Sequence, residues 1–237
     1  MAAIQSFAKA VGSLLFKTNS SLRKTTEKNL ALAYPDMTSD ERDVLTQKSM
    51  QSQCMTYAES VKIWGSSTDY ALSLITKIQG ESIFKDAINA QKGVLVVVPH
   101  FGTWELLNAW LNQHSSPVIM YKPNKNEDVD RFMLEARQRL NAMLVPTDES
   151  GVRAIFKHLK SGGLTVMLPD HVPKESGGIY SMFYGQNALS STLVSKLASK
   201  TQCKVIGMTC SRNENSGGFE IVVSEIVPFF IEKFSSR

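Results

Sequence analysis

Residues 94–105 have the sequence VLVVVPHFGTWE, and this stretch gives the clearest indication of the fold. The run of apolar residues that ends at Pro99 is typical of a strand buried on both faces. Apolar residues then recur at helical spacing from Phe101 to Leu111. We therefore expect a strand, then a turn that contains His100, then a helix. The carboxyl ends of such strands are where open α/β sheets commonly bind ligands.

The spacing between His100 and Glu105 suggests a catalytic pair. Positions five apart on a regular helix lie roughly 140° apart around its axis, so they would not face each other. With His100 in the turn, however, its imidazole can fold back onto the Glu105 carboxylate. Glu105 would then hold one ring N–H and leave the other ring nitrogen to take a proton, as a general base does. The alternative is a turn histidine and a solvated helix carboxylate.

Strands and helices alternate along the chain after Gly93, and the residues before it favour helices. We predict an α/β fold with a mostly parallel central sheet flanked by helices. We divide the chain into a helical N-terminal region, residues 1–90, and one continuous α/β core, residues 91–237. The core strands are expected at 94–98, 117–121, 142–145, 164–168, 204–209 and 219–226, and a long polar loop is expected around Gly177 and Gly178.

The composition is that of an ordinary folded protein with room for a sizeable core. The chain has 237 residues, of which 43% are hydrophobic and 20% are charged. The formal net charge of +4 suits an anionic partner, such as a membrane surface or an acidic carrier protein, without requiring one. The cysteines and histidines show no ligand spacing, so we predict neither a disulfide framework nor a metal site. We expect no nucleic-acid partner.

The N-terminal segment is amphipathic. Apolar residues recur at three- and four-residue steps from Ile4 to Leu15, and Lys9 and Lys17 lie in the same segment. The pattern predicts a helix that either lies in a membrane interface, with its basic residues near anionic headgroups, or packs on the protein's own core. No stretch approaches the ~18–20 apolar residues that span a bilayer.

Charged residues also follow the ends of other predicted strands. Lys122 and Lys125 follow the second core strand, and Asp170 follows the fourth. Because the carboxyl ends of parallel strands share one edge of a sheet, these side chains are expected to converge with His100. The lysines and Arg137 would bind a phosphate or polarise a thioester carbonyl, and Asp170 would orient a cation or the acceptor. Taken singly, each residue is equally compatible with a solvated turn charge.

Five ordered blocks carry a family resemblance. They are NLALAYP with SDER at 29–42, PHFGTWE at 99–105, YKPNKN at 121–126 with Arg137, GVR with LKSG and LPDH at 151–171, and FYG with SS at 183–191. In this order they resemble the lipid A late (lauroyl/myristoyl-type) acyltransferases of the lysophospholipid acyltransferase superfamily. Lys122 stands where that family usually has arginine, and His171 stands where it usually has glutamine.

The resemblance implies acyl transfer from an acyl-carrier-protein or coenzyme A thioester to a hydroxyl or amine of a lipid acceptor, such as a lipid A-like glycolipid, with no further cofactor. It implies a peripheral location on the cytoplasmic face of the inner membrane, where the carrier protein and the lipid acceptor would be partners. His100 would be the base and Glu105 its partner. The substrate-binding residues would be Arg137, Asp170, Lys122, Lys125 and Arg153.

Three alternatives remain open on the sequence. The donor group is either a fatty acyl chain or an aminoacyl unit such as glycyl. The enzyme could instead be a soluble acyltransferase of a specialised fatty-acid or polyketide pathway, whose acceptor is not a membrane lipid. A non-catalytic binding protein on the same fold is the third alternative, and the presence of both His100 and Glu105 argues against it.

Overall fold

The structure, a computed structural model, describes residues 1–18, 20–140, 142–213 and 217–226. These residues group into two compact units. The first unit contains Met1–Lys62 and Tyr180–Leu189, and the second contains Ile63–Ile179 and the described residues from Ser190 to Ile226. Strands and helices alternate in the second unit and confirm the predicted α/β fold.

The first unit consists mainly of helices, as expected for the N-terminal region. They are α1 (Ala2–Lys17), α2 (Ser21–Ala33) and α3 (Ser39–Trp64), of which α3 ends just inside the second unit. The start of α3 is fixed by a capping box, in which the Thr38 N–H donates to Glu41 Oε2 at 3.0 Å and the Glu41 N–H donates to Thr38 Oγ1 at 3.4 Å.

Helix α1 packs on α3 through one face and leaves apolar side chains exposed on another. Gly12 allows the two helices to approach closely, because a Cβ at this position would lie 2.7 Å from Gln51 Cα. Gln51 Nε2 also donates a hydrogen bond to Ser13 Oγ at 2.8 Å. Phe7 and Leu14 remain exposed. No helix in the described part of the chain has both the length and the apolar character that crossing a bilayer requires.

The elements that follow along the chain build the sheet and its flanking helices. The helices are α4 (Thr68–Ser73), α5 (Glu81–Asn89), α6 (Glu105–Leu111), α7 (Glu127–Gln138), α8 (Glu149–Lys160) and α9 (Leu193–Thr201), with a 3₁₀ turn at Glu175–Gly177. The strands are β1 (Ile75–Gln79), β2 (Val94–Val97), β3 (Val118–Tyr121), β4 (Met143–Pro146), β5 (Leu164–Met167), β6 (Gly178–Phe183), β7 (Gln186–Ser191), β8 (Lys204–Arg212) and β9 (Phe219–Glu225).

Seven of these strands form one sheet in the order β1-β9-β8-β2-β5-β3-β4. Neighbouring strands from β8 through β4 are parallel. Strand β9 runs antiparallel to β8 and parallel to β1. The sheet is therefore mostly parallel, as predicted, and β2 lies inside it between β8 and β5. This position explains the continuous apolar run of β2, because both of its faces are covered.

The predicted long polar loop around Gly177 and Gly178 was wrong, because most of this segment forms a two-stranded hairpin of β6 and β7. Helix α9 follows the hairpin and begins at Leu193. No strand pattern is visible in this segment because Tyr180, Met182 and Phe183 are exposed on both faces of the hairpin. Without a buried face, no alternation of apolar and polar residues is required.

Candidate active site

The carboxyl ends of the parallel strands bring the predicted site residues to one edge of the sheet. His100 follows β2, Asp170 follows β5, and Lys122 follows β3. Strand β5 lies between the other two. Strands β2 and β5 are in register, with Val97 opposite Met167, so His100 and Asp170 each lie three residues beyond a matched pair.

Asp170 holds His100 through both carboxylate oxygens. Asp170 Oδ1 lies 2.7 Å from His100 Nδ1, and Asp170 Oδ2 accepts the backbone N–H of His100 at 2.7 Å. Partial burial would raise the pKa of Asp170, but the hydrogen bonds from the His100 ring and backbone outweigh it and lower the pKa below the ordinary carboxyl value. With Nδ1 engaged, Nε2 is the ring nitrogen that can accept a proton from a ligand.

Two further rings restrict the imidazole of His100. The His171 ring stacks on it, with centroids 4.2 Å apart and planes inclined by 3°. The Trp104 ring meets it edge-on at 5.1 Å. Sequence reasoning noted His171 only as a departure from the family pattern and missed its contact with His100. Its position directly after Asp170 is the signal that could have indicated this contact.

Glu105 forms an ion pair with Arg137 instead of a contact with the imidazole. Arg137 Nη2 lies 2.8 Å from Glu105 Oε1, and Asn108 Nδ2 donates to Glu105 Oε2 at 3.3 Å. Glu105 is only 5% exposed. The sequence predicted that Glu105 holds one ring N–H of His100, whereas the structure places Asp170 beside Nδ1. Glu105 is the first residue of α6, and its buried side chain contacts Arg137 on α7. A catalytic role for Glu105 stays a prediction.

Arg137 also lies near Tyr121, the last residue of β3. Its guanidinium carbon lies 5.5 Å from the centre of the Tyr121 ring. The Tyr121 hydroxyl donates to Asp130 Oδ1, and the same oxygen accepts the Asn124 N–H at 2.6 Å. Burial and the hydrogen bond to Asp130 raise the pKa of Tyr121 to about 12. These contacts fix the turn beside the ion pair, and spacing alone did not indicate Tyr121 or Asp130.

The turn after His100 is anchored to strand β8. The Thr103 N–H donates to the Cys210 carbonyl at 2.7 Å, and Gly102 forms an isolated parallel bridge with the same residue. Gly102 has a φ of +64°, and a Cβ there would lie 2.1 Å from the Cys210 carbonyl oxygen. Only glycine meets both requirements, so Gly102 is a structural requirement of the site.

These residues surround a cavity of about 550 Å³. Its polar lining includes His100, Glu105, Lys122, Arg137 and His171. Apolar side chains from β3, β4, β5, α8 and α9 complete the wall, and they include Ile119, Met120, Leu144, Val152, Val166, Met167 and Leu193. The arrangement combines a base, two cations and an apolar surface in one space, which suits a ligand with both a reactive polar group and a hydrocarbon part.

Lys125 and Arg153, two of the predicted substrate-binding residues, are not among the residues that line this cavity. Lys125 lies in the exposed turn after β3. Arg153 lies on the exposed face of α8, 3.5 Å from Glu149. The structure therefore brings together His100, Glu105, Lys122, Arg137 and Asp170 and leaves these two cations outside. In the described part of the chain, no group of three or more histidine, cysteine or acidic side chains is arranged to hold a metal ion.

The fold and the site define the chain as an α/β protein with a base histidine at the carboxyl edge of a mostly parallel sheet. A family model described as bacterial lipid A biosynthesis acyltransferase matches residues 1–231. The chain belongs to this family, as the sequence motifs indicated.

Three curated relatives are similar to most of this chain. A lipid A biosynthesis acyltransferase of Haemophilus influenzae is 28% identical over 85% of this chain and 64% of its own length. The lipid A biosynthesis lauroyltransferase of Escherichia coli is 23% identical over 90% of this chain and 69% of its length. The lipid A biosynthesis palmitoleoyltransferase of the same organism is 22% identical over 83% of this chain and 64% of its own length. The chain thus spans about two thirds of the length of these relatives.

Proposed function

We propose that this protein transfers an acyl group from a carrier-protein thioester to a hydroxyl of a lipid acceptor of the lipid A type. The observation that carries the proposal is His100, which lines the cavity while Asp170 engages its Nδ1. Membership of the lipid A biosynthesis acyltransferase family supports the reaction class. The names of the relatives, a lauroyltransferase and a palmitoleoyltransferase, support a fatty acyl donor.

In the proposed mechanism, His100 acts as the general base. Nε2 removes the proton from the acceptor hydroxyl as the oxygen attacks the thioester carbonyl. Asp170 stabilises the imidazolium that forms, because its carboxylate is already hydrogen-bonded to Nδ1. When the tetrahedral intermediate collapses, the C–S bond breaks and the imidazolium returns the proton to the leaving thiol. An ester and a free carrier thiol are the products.

Arg137 and Lys122 are proposed to stabilise the negative charge that develops on the carbonyl oxygen. Both line the same cavity as His100, and a fixed cation lowers the free energy of the intermediate more than a mobile one does. Glu105 fixes Arg137 through the 2.8 Å ion pair. We therefore propose that Glu105 acts through Arg137, as a residue that positions the guanidinium.

The apolar wall of the cavity favours a fatty acyl donor over an aminoacyl donor. A cavity of about 550 Å³ with valine, leucine, isoleucine and methionine side chains offers a glycyl group few contacts. A hydrocarbon chain gains roughly 0.8 kcal/mol for each buried CH₂. A series of carrier-protein thioesters from glycyl to long acyl chains separates the two, because kcat/KM should rise with chain length until the cavity is filled.

We propose that the protein works at the cytoplasmic face of the inner membrane, with an acyl carrier protein as its donor partner. Exposed Phe7 and Leu14 on α1, together with Lys9 and Lys17 in the same helix, support a peripheral contact with anionic lipid. A soluble acceptor from a specialised pathway would leave these exposed side chains without a role. Binding to vesicles of anionic lipid distinguishes the two locations.

The test of the reaction uses the full chain, labelled acyl-carrier-protein thioesters and a lipid A precursor. His100→Ala should lower kcat by about 10²–10⁴-fold, the usual contribution of a general base. His114→Ala is the matched control, because His114 packs on Phe84 and is not among the residues that line the cavity. A His100→Ala rate close to that of the control would refute the mechanism.

A further inference from the structure

The tip of the β6–β7 hairpin carries large apolar side chains in solvent. Tyr180, Met182, Phe183 and Tyr184 are 62%, 70%, 63% and 54% exposed. The decapeptide from Tyr180 to Leu189 contains no charged residue, and it belongs to the first compact unit. Large apolar side chains exposed close together on a protein surface point to an interaction site.

The exposed side chains project from both faces of the hairpin. Successive residues of a strand point to opposite faces, so Tyr180 and Met182 share one face and Phe183 projects from the other. All three are exposed. A hairpin that docks on a flat protein surface needs apolar side chains on one face only. A hairpin with apolar side chains on both faces suits an apolar phase that surrounds it on both sides. This distinction points to a lipid phase rather than a flat protein partner.

The turn at the tip retains an aromatic residue in an unfavourable backbone conformation. Tyr184 has a φ of +48°, and Gly185 has a φ of +72°. This is the backbone of a two-residue hairpin turn that favours Asn, Asp or Gly at both positions, and a bulky residue there is strained. Strain that persists at a surface tip is commonly associated with function. Here the strained residue adds one more exposed aromatic ring to the tip.

The apolar surface continues onto the end of α2. The ring of Tyr34 meets that of Tyr184 edge-on, with centroids 5.7 Å apart. Tyr34, which follows the last residue of α2, is itself exposed. Tyrosine suits this position because its ring favours the apolar side of a membrane interface and its hydroxyl favours the polar side.

The first 28 residues of the first unit are basic, which favours an anionic lipid surface. Residues 1–28 contain the five cations Lys9, Lys17, Arg23, Lys24 and Lys28 and the single carboxylate Glu27, so their formal charge of +4 equals that of the whole chain. Basic residues near an anionic bilayer contribute to binding, and apolar side chains that enter the interface add to it.

We propose that residues Tyr180–Gly185, with Tyr34, form a membrane-insertion tip that enters the interfacial region of an anionic bilayer. The proposal rests on the peripheral membrane location proposed above and names the element that enters the lipid. An acyl carrier protein is the less favoured occupant, because an acidic partner would require cations and the tip contains none.

The test measures the binding of the full chain to vesicles of phosphatidylethanolamine and phosphatidylglycerol by co-sedimentation. Met182→Ser with Phe183→Ser should weaken binding at least about 10-fold, because two largely exposed side chains lose their transfer from water. Met143→Ser with Val129→Ser is the matched control, because both of those side chains are exposed in the second unit and neither is among the residues that line the cavity. The control should bind as the wild type does.

A second measurement reports insertion directly and does not depend on the affinity. Phe183→Trp should show a blue-shifted emission with vesicles, and brominated lipid should quench it beyond the quenching seen for the wild type. Transfer activity on a detergent-dispersed acceptor should survive Met182→Ser with Phe183→Ser, which separates this proposal from the proposed chemistry.

Three results would overturn the proposal. The first is equal vesicle binding by the tip variant and the wild type, and the second is the absence of vesicle binding by the wild type. The third is loss of carrier-protein binding or of self-association in the tip variant while vesicle binding stays unchanged, which would assign the tip to a protein partner.

Discussion

Replacing Asp170 with asparagine isolates the contribution of the carboxylate charge to His100. The shape of the side chain is retained, and the negative charge opposite Nδ1 is lost. A carboxylate and an imidazolium about 4 Å apart interact by about 1 kcal/mol in water and about 4 kcal/mol at an effective dielectric of 20. The Asp170 side chain is 40% exposed, so we take the middle of this range, about 1.4–2.7 kcal/mol. Asp170→Asn should therefore lower kcat by about 10–100-fold.

The assay is steady-state transfer from an acyl-carrier-protein thioester, with kcat and KM measured separately. KM should stay within about 3-fold of the wild-type value, because the Asp170 charge acts on the imidazolium that forms in the transition state. In a His100→Ala background, Asp170→Asn should have little further effect, since the two residues act as a unit. Asp128→Asn, on the exposed side of α7, is the control. A kcat for Asp170→Asn within 2-fold of wild type would refute the role given to this carboxylate.

Asp170 also predicts a pH dependence of stability. Its pKa is lowered in the folded state, because hydrogen bonds from His100 outweigh the effect of burial. A lowered carboxyl pKa contributes stability at neutral pH that is lost as the pH falls below the ordinary value of 3.8 and through the folded-state pKa. Partial exposure limits this contribution to less than about 1 kcal/mol. Urea denaturation between pH 7 and pH 2 should show a steeper loss of the free energy of unfolding at the acid end for the wild type than for Asp170→Asn.

Three further substitutions test the frame of the site. Arg137→Ala leaves the buried Glu105 carboxylate unpaired and should lower the free energy of unfolding by about 3–5 kcal/mol in urea denaturation. Gly102→Ala puts a Cβ 2.1 Å from the Cys210 carbonyl at a φ of +64°, and left-handed strain of about 1–2 kcal/mol with overpacking of about 1–3 kcal/mol should destabilise the protein to a similar extent. His171→Gln removes a stacked ring and should change kcat by about 2–10-fold in the transfer assay.

Each of these expectations has a result that contradicts it. An Arg137→Ala loss below 1 kcal/mol would mean that the ion pair is not the buried contact described above. A Gly102→Ala protein as stable as the wild type would mean that the turn adopts another backbone. A His171→Gln effect beyond 100-fold would give His171 a direct part in the reaction.

The elements that hold His100 were readable from the sequence because burial leaves a strong pattern. Strand β2 lies inside the sheet, so its residues had to be apolar, and His100 stands at the end of that run. Asp170 was named as a site residue, although its contact with His100 was not. The two loops share a pattern in which a proline precedes the polar residue, as in Pro99–His100 and Pro169–Asp170. Each polar residue follows its own strand by the same number of residues. His100 and Asp170 come into contact because β2 and β5 pair in register, and a single sequence does not reveal that register.

The partner of Glu105 could not be read from local spacing. The spacing of His100 and Glu105 suggested a pair, but the Glu105 carboxylate forms its ion pair with Arg137, 32 residues farther along the chain. That contact depends on how α7 lies against α6, which is a matter of tertiary packing. The β6–β7 hairpin was missed for the opposite reason, since exposed apolar residues leave no periodic signal.

The position of β5 between β2 and β3 has a consequence for synthesis. His100, Lys122 and Arg137 all leave the ribosome before Asp170, yet the strand that leads to Asp170 lies between the strands that lead to His100 and Lys122. A nascent chain that ends before Leu164 therefore lacks the strand that joins the two halves of the site. Such a fragment would also leave β2 without a paired strand, because both of its neighbours, β5 and β8, come later in the chain. Completion of the site is therefore a late event in the emergence of the chain.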